Sequence, residues 1–124
     1  MEYIVGHTLE KMRAVFGTEG QDVIACIGPG ISLQSFEVGD EVYETFRLNG
    51  FDMSRISFRH SVTHKYHIDL WEANRLDLAN VGVPHSQIEI SQLCTYTLSD
   101  KFYSARRLSV SSGRFVTGIY LSEQ

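Results

Sequence analysis

The chain has little of several things that would narrow a function at first sight. Cysteine is scarce: only Cys26 and Cys94 are present, far apart in sequence. They could bridge, but without an export signal such a pair reads as buried thiols in a reducing, cytoplasmic compartment. Basic blocks are lacking too. Lys and Arg total 11 against 15 for Asp and Glu, a net charge of −4, which argues against nucleic acid as the main partner. No apolar run is long enough to cross a bilayer, so no membrane partner is expected. The first residues lack the basic-then-apolar layout of a secretory signal. Internal repeats, low-complexity tracts and linkers are absent as well. What remains is an ordinary globular composition, 43% hydrophobic and 21% charged. Its 124 residues suit a single domain, 1–124, with a real core.

Periodicity then supplies the elements. Residues 2–16 read as an amphipathic helix, with Val5, Thr8, Leu9, Met12, Val15 and Phe16 near a 3.6-residue period and Gly17 as the stop. Asp22–Ile27 reads as a buried strand, which would make Cys26 a small core hydrophobe. Gly28-Pro29-Gly30 follows as a sharp exit, where Gly28 and Gly30 can adopt backbone angles closed to other residues. Gly39-Asp40-Glu41 opens a short helix to about Arg47, with acids at its positive end, and Asn49-Gly50 ends it. Asp69 caps a further helix, with Glu72 completing a box-like pattern, that stops near Val81 before Gly82 and Pro84. Gln87–Ser91, Phe102–Ser104 and Arg114–Leu121 read as strands, while Phe51–His67 has no firm period. Helices packed on a mixed sheet follow, an α+β layered α/β sandwich.

Several residues could carry chemistry. His60, His64 and His67 are spaced H-x-x-x-H-x-x-H, which on a helix would align three imidazoles as for zinc. The surrounding Ser, Thr, Val and aromatics fit a polar loop or strand pair instead, and no cysteine or acid nearby completes a metal set. Cys94, at an expected strand end, is a candidate nucleophile if His67 or His85 pairs with it; otherwise both cysteines are structural thiols. Arg106-Arg107, with Arg114 close behind, is the one concentrated cationic feature and suits capture of phosphate or carboxylate. Ion-paired strand ends are the alternative. The Gly28-Pro29-Gly30 loop is either a tight structural turn or an anion or sugar contact, and it lacks the lysine of a phosphate-binding P-loop. Asn74 reads as structural.

The segments IGPGISLQSFEVGDEV (27–42), DLWEANRLDLANVGV (69–83), LCTY (93–96), FYSARR (102–107) and GR (113–114), with TLEKMRAVFG (8–17), resemble as a set the laccase-domain family. It is also called the YfiH-type or polyphenol oxidase family. The resemblance implies a zinc-binding purine nucleoside enzyme, active in phosphorolysis of adenosine, inosine and methylthioadenosine and in adenosine deamination. Older family names refer to copper, and some bacterial members are linked to peptidoglycan quality control. The implied fold is a layered α/β sandwich with its active site in a cleft.

The family's metal and catalytic residues lie mainly in H-G-x-x, D-C and H-A-G-W-R-G motifs, none of which occurs here. The chain therefore resembles the C-terminal half only, with its sheet cut on the N-terminal side. Ala105 and Leu108–Ser112 also depart from the family pattern. The expectation is that Gly28, Pro29, Gly30 and Ile31 shape the cleft, that Arg106 and Arg107 hold phosphate or the ribose side, and that this chain alone holds no metal. Its partners would be a purine nucleoside and phosphate. An exposed sheet edge would drive self-association or pairing with an N-terminal half, or leave the chain marginally stable. Two rival readings are a non-catalytic interaction or oligomerisation module and a cysteine hydrolase using Cys94.

Overall fold

A computed structural model describes residues 3–122. The first helix, α1 (Ile4–Phe16), stops where expected. Gly17 takes the left-handed conformation at φ 69° and donates its N–H to the Arg13 carbonyl. Helix α2 (Asp40–Leu48) and helix α4 (Leu70–Asn80) are also where the sequence places them. Gly50 and Gly82, at φ 90° and 96°, turn the chain out of them. At the start of α4 the Asp69 carboxylate accepts the Glu72 N–H at 3.0 Å. The Glu72 carboxylate turns away to Arg75 and Arg55, so only half of the expected box forms. The Asn74 amide donates to the Leu70 carbonyl at 2.8 Å, a structural role.

The stretch without a firm period is one helical turn, α3 (Met53–Ile56), and a hairpin. Strands β3 (Ser57–Arg59) and β4 (Tyr66–Ile68) pair antiparallel, and β2 (Glu37–Val38) joins the other side of β4. Against this small sheet lies the core: Val38, Met53, Ile56, Ile68 and Ala73, with Ile56 and Ile68 fully buried. A second sheet pairs β1 (Ala25–Ile27) with β5 (Ile88–Ile90) in parallel, Ala25 opposite Ile88 and Ile27 opposite Ile90. Helix α4 packs against both of these strands and against α1. Helices with parallel and antiparallel strands give the α+β class expected.

Three strand expectations change. β1 is shorter than expected, and Cys26 is exposed rather than buried, because among the described residues the strand has one neighbour and helix α4 lies against it without enclosing it. Residues 102–104 are irregular backbone leading into α5 (Ala105–Leu108), whose first turn is capped by Ser104 accepting the Arg107 N–H. Residues 114–121 form no ladder. Their apolar side chains face solvent, Val116 at 96% and Leu121 at 93% exposed, and a strand without a partner has nothing to fix it. Among the described residues no helix is long and apolar enough to cross a membrane.

Candidate functional site

Beyond β1 the chain runs straight into the Gly28-Pro29-Gly30 loop. Neither glycine adopts a positive φ. A Cβ on Gly30 would lie 3.4 Å from Trp71 Nε1 and one on Gly28 3.4 Å from a Thr117 methyl, ordinary contact distances, so the loop packs against Trp71 and Thr117 without a steric need for glycine. Trp71 Nε1 is itself buried without a hydrogen-bond partner. The loop is fastened by a parallel bridge: the Gly30 N–H donates to Leu93 O at 3.1 Å and the Thr95 N–H donates to Gly30 O at 3.2 Å.

Cys94 sits in that bridge, buried. Its sulfur accepts the Ser32 N–H at 3.3 Å, and its thiol faces the Ser35 hydroxyl at 3.8 Å. Burial pushes the thiol up, but the hydrogen bonds around Ser32 and Thr97 prevail and bring it down from 9.0 to about 6. Neither candidate histidine supplies a base to it. His67 faces the Leu33 carbonyl at 2.9 Å and Glu37 Oε2 at 3.3 Å, and His85 pairs with Arg75.

The three spaced histidines lie on the β3–β4 hairpin, not on one helix face. His60 Nδ1 accepts the N–H groups of Val62 and Thr63 at 3.1 and 3.2 Å, closing the turn. His64 supplies the left-handed residue at φ 59°. His67 is buried, stacked on Phe58 with ring centroids 4.8 Å apart. The carboxyl of Glu37 is held below the usual range by the Thr63 hydroxyl, with His67 and Lys65 beside it.

The two adjacent arginines of α5 diverge. Arg106 Nη1 donates to the Glu37 carbonyl at 2.7 Å, and its guanidinium lies 5.1 Å from the Phe36 ring centroid. Arg107 Nε donates to the Tyr96 carbonyl at 3.0 Å, and its guanidinium stacks 4.1 Å above the Tyr96 ring. A cavity of about 430 Å³ joins the loop to α5; its lining includes Pro29, Gly30, Ile31, Phe36, Arg106 and Arg114. Thus Pro29, Gly30, Ile31 and Arg106 meet there, whereas Gly28 and Arg107 lie outside the lining. Sequence reading did not anticipate Phe36, Thr95, Tyr103 and Phe115 in the wall. Their only signal was position: Phe36, Thr95 and Tyr103 lie within the segments 27–42, 93–96 and 102–107, and Phe115 follows the GR of 113–114.

Comparison with known proteins agrees with this architecture. Residues 1–122 match the family model described as multi-copper polyphenol oxidoreductase laccase. A purine nucleoside phosphorylase of Bacteroides thetaiotaomicron is 59% identical over 119 residues, covering 96% of this chain and 44% of that protein. Adenosine deaminase RL5, from an unknown prokaryotic organism, is 48% identical over 96 residues, 77% of this chain and 37% of that protein. The crystal structure of YlmD from Geobacillus stearothermophilus superimposes with a TM-score of 0.74 at 34% identity, covering 85% of this chain and 39% of that one. The chain spans less than half the length of each of these relatives.

The family's description implies copper, and the described residues do not fit such a centre. No three His, Cys, Asp or Glu side chains gather among them, and the nitrogens of His60 and His67 described above already have protein partners. What the chain shares with its relatives is the fold. By the match over residues 1–122, the chain belongs to the multi-copper polyphenol oxidoreductase laccase family.

Proposed function

We propose that this chain forms the substrate-holding wall of a purine nucleoside phosphorylase. In phosphorolysis a phosphate oxygen bonds to C1 of the ribose as the bond from C1 to the purine nitrogen breaks. The phosphate brings negative charge, and a preorganised guanidinium stabilises it without reorganising during the reaction. Arg106 has that role here. Pro29, Gly30 and Ile31 line the same cavity, and Phe36 offers an apolar face for a planar base. The observation that carries the reading is the single cavity uniting the loop after β1 with Arg106 of α5. The names of the relatives, purine nucleoside phosphorylase and adenosine deaminase, supply the substrate class.

In this reading the metal (zinc, by the family resemblance) and the proton-transfer groups come from sequence outside these 124 residues. No step assigned to this chain runs through them. The compartment is the cytoplasm, supported by two free cysteines. The test is phosphate-dependent release of hypoxanthine from inosine, with calorimetry of phosphate binding. The chain by itself is expected to bind phosphate and to turn over no inosine. Arg106→Ala should weaken phosphate binding about tenfold, the loss of a charge-assisted contact. Unchanged binding would overturn the role of Arg106, and turnover by the chain alone would overturn the assignment of chemistry to other sequence.

A second reading is favoured by one other surface. Met12, Val23, Ile24, Ile119, Tyr120 and Leu121 line an apolar groove of about 410 Å³ beside β1, with Ile24 65% exposed. Exposed apolar surface beside an open strand edge suits an interaction or oligomerisation module. Self-association or pairing with a complementing polypeptide is the corresponding proposal. A concentration-independent monomer in sedimentation would remove it.

A further inference from the structure

The chain carries a net charge of −4, and it pairs several of its arginines with carboxylates. Arg13 meets Glu19, Arg47 meets Glu44, and Arg55 and Arg75 both meet Glu72. Among the described residues Arg59, Arg106, Arg107 and Arg114 have no such partner, and of these Arg106 and Arg114 lie on the cavity. Among the described residues no carboxylate lies within 4.0 Å of Arg106 or Arg114. Glu37, which neighbours Arg106, offers it only a backbone carbonyl, and its carboxylate is engaged with Thr63, Lys65 and His67.

Arg114 is also held in place. Its Nη1 donates to the carbonyls of Ser112 and Gly113 at 2.8 and 3.0 Å, folding the side chain back over its own turn. That turn lies directly on Tyr103: a Cβ on Gly113 would come within 2.7 Å of the Tyr103 ring. Only glycine allows this approach, and it brings the following arginine to the cavity wall. Each guanidinium has five N–H donors, and the carbonyl contacts occupy one nitrogen of each.

We propose that Arg106 and Arg114 together form an anion subsite that takes inorganic phosphate, while Arg107 fastens α5 to the Tyr96 segment. The assignment rests on the phosphorolytic reading and sharpens it. The anion is gripped from two separate segments, not by the adjacent pair that the sequence displays. Two cations uncompensated by protein carboxylates, on one cavity with aromatic walls, suit a compact polyanion beside a planar ligand.

The test uses the unaltered chain, an arginine-selective dicarbonyl reagent and mass spectrometry to follow each arginine. Arg59, exposed and bonded through Nε to the His64 carbonyl, is the internal reference. At inorganic phosphate four times its dissociation constant, the unliganded fraction falls about fivefold. Modification of Arg106 and Arg114 should slow about fivefold together, with Arg59 and Arg107 unaffected by phosphate. Protection of Arg106 alone, or of Arg106 with Arg107, would overturn the two-segment subsite and leave the phosphorolytic reading standing. Protection of neither Arg106 nor Arg114, or equal slowing at Arg59, would overturn both.

Discussion

The region from Glu37 to Val83 and the region from Leu93 onward are stabilised by different means. The first has a conventional interior: Ile56 and Ile68 are inaccessible, Val83 is 2% exposed, and hairpin ladders and a capped helix surround them. Among the described side chains of the second, Cys94, Thr95 and Ser104 are the buried ones, two of them polar, while Phe115, Val116, Ile119, Tyr120 and Leu121 are exposed. It is held by a one-residue bridge, a serine cap and two arginines on carbonyls. Apolar burial is cooperative and unspecific in direction, whereas bridges and guanidinium contacts fix orientation with little burial. The cleft is lined by the second region and by residues 29–36, which lead into the first. Its walls are positioned by polar contacts on a scaffold that the core keeps rigid.

The largest effect should come from the scaffold. Ile68→Ala removes a fully buried side chain at the centre of the core, and such truncations cost about 2–5 kcal/mol. Against a typical stability of about 5–15 kcal/mol this should lower the denaturation midpoint severely or unfold the chain. A change confined to the C-terminal region, read by hydrogen exchange, would show that the core is not the scaffold.

The same division explains what could be read in the sequence. Helices α1, α2 and α4 were legible because period and stop signal coincide: Gly17, Gly50 and Gly82 stand where a left-handed residue is needed. The β3–β4 hairpin was legible only as a polar loop or strand pair, without bounds. Its strands are three residues each, and the turn places His64 at positive φ, a position usually signalled by glycine or asparagine. Residues 114–121 look like a strand, but strand formation depends on a partner that local sequence does not contain. The cleft was half legible. Pro29, Gly30, Ile31 and Arg106 line one cavity, whereas Gly28 and Arg107 do not, and the Arg106-Arg107 pair misleads as a unit. Consecutive residues on a helix point about 100° apart, so one guanidinium reaches Phe36 and the other Tyr96.

Next in size is the effect of Cys94, which ties the β1 loop to the C-terminal region. Its folded thiol lies at about 6 against an ordinary 9.0. Between these values the unfolded chain holds a proton that the folded chain has released, so stability rises with pH across that window. It is complete above the unfolded value and is lost as pH falls through about 6. Melting curves from pH 5 to 9 should show this rise in the parent and not in Cys94→Ser. Parallel curves for the two proteins would show that Cys94 carries no thiolate in the fold. The same variant discriminates function. Abolition of a measurable esterase activity by Cys94→Ser would revive the cysteine hydrolase reading, although no histidine described here hydrogen-bonds that sulfur.

The smallest effect, and the sharpest on the comparison, belongs to Arg107→Ala. The exposed stacking on Tyr96 is worth about 0.5–1 kcal/mol and the carbonyl hydrogen bond about 1 kcal/mol net. Together they should make local opening of the segment around α5 roughly tenfold more frequent. The core does not share these contacts, so global unfolding should shift little. Limited proteolysis under native conditions distinguishes the outcomes. Cleavage near residues 96–108 should accelerate about tenfold while the global melt stays close to the parent. If the melt instead falls as far as for Ile68→Ala, the arginine supports the whole fold. The two regions would then be one cooperative unit, and the cleft would owe its shape to the core alone.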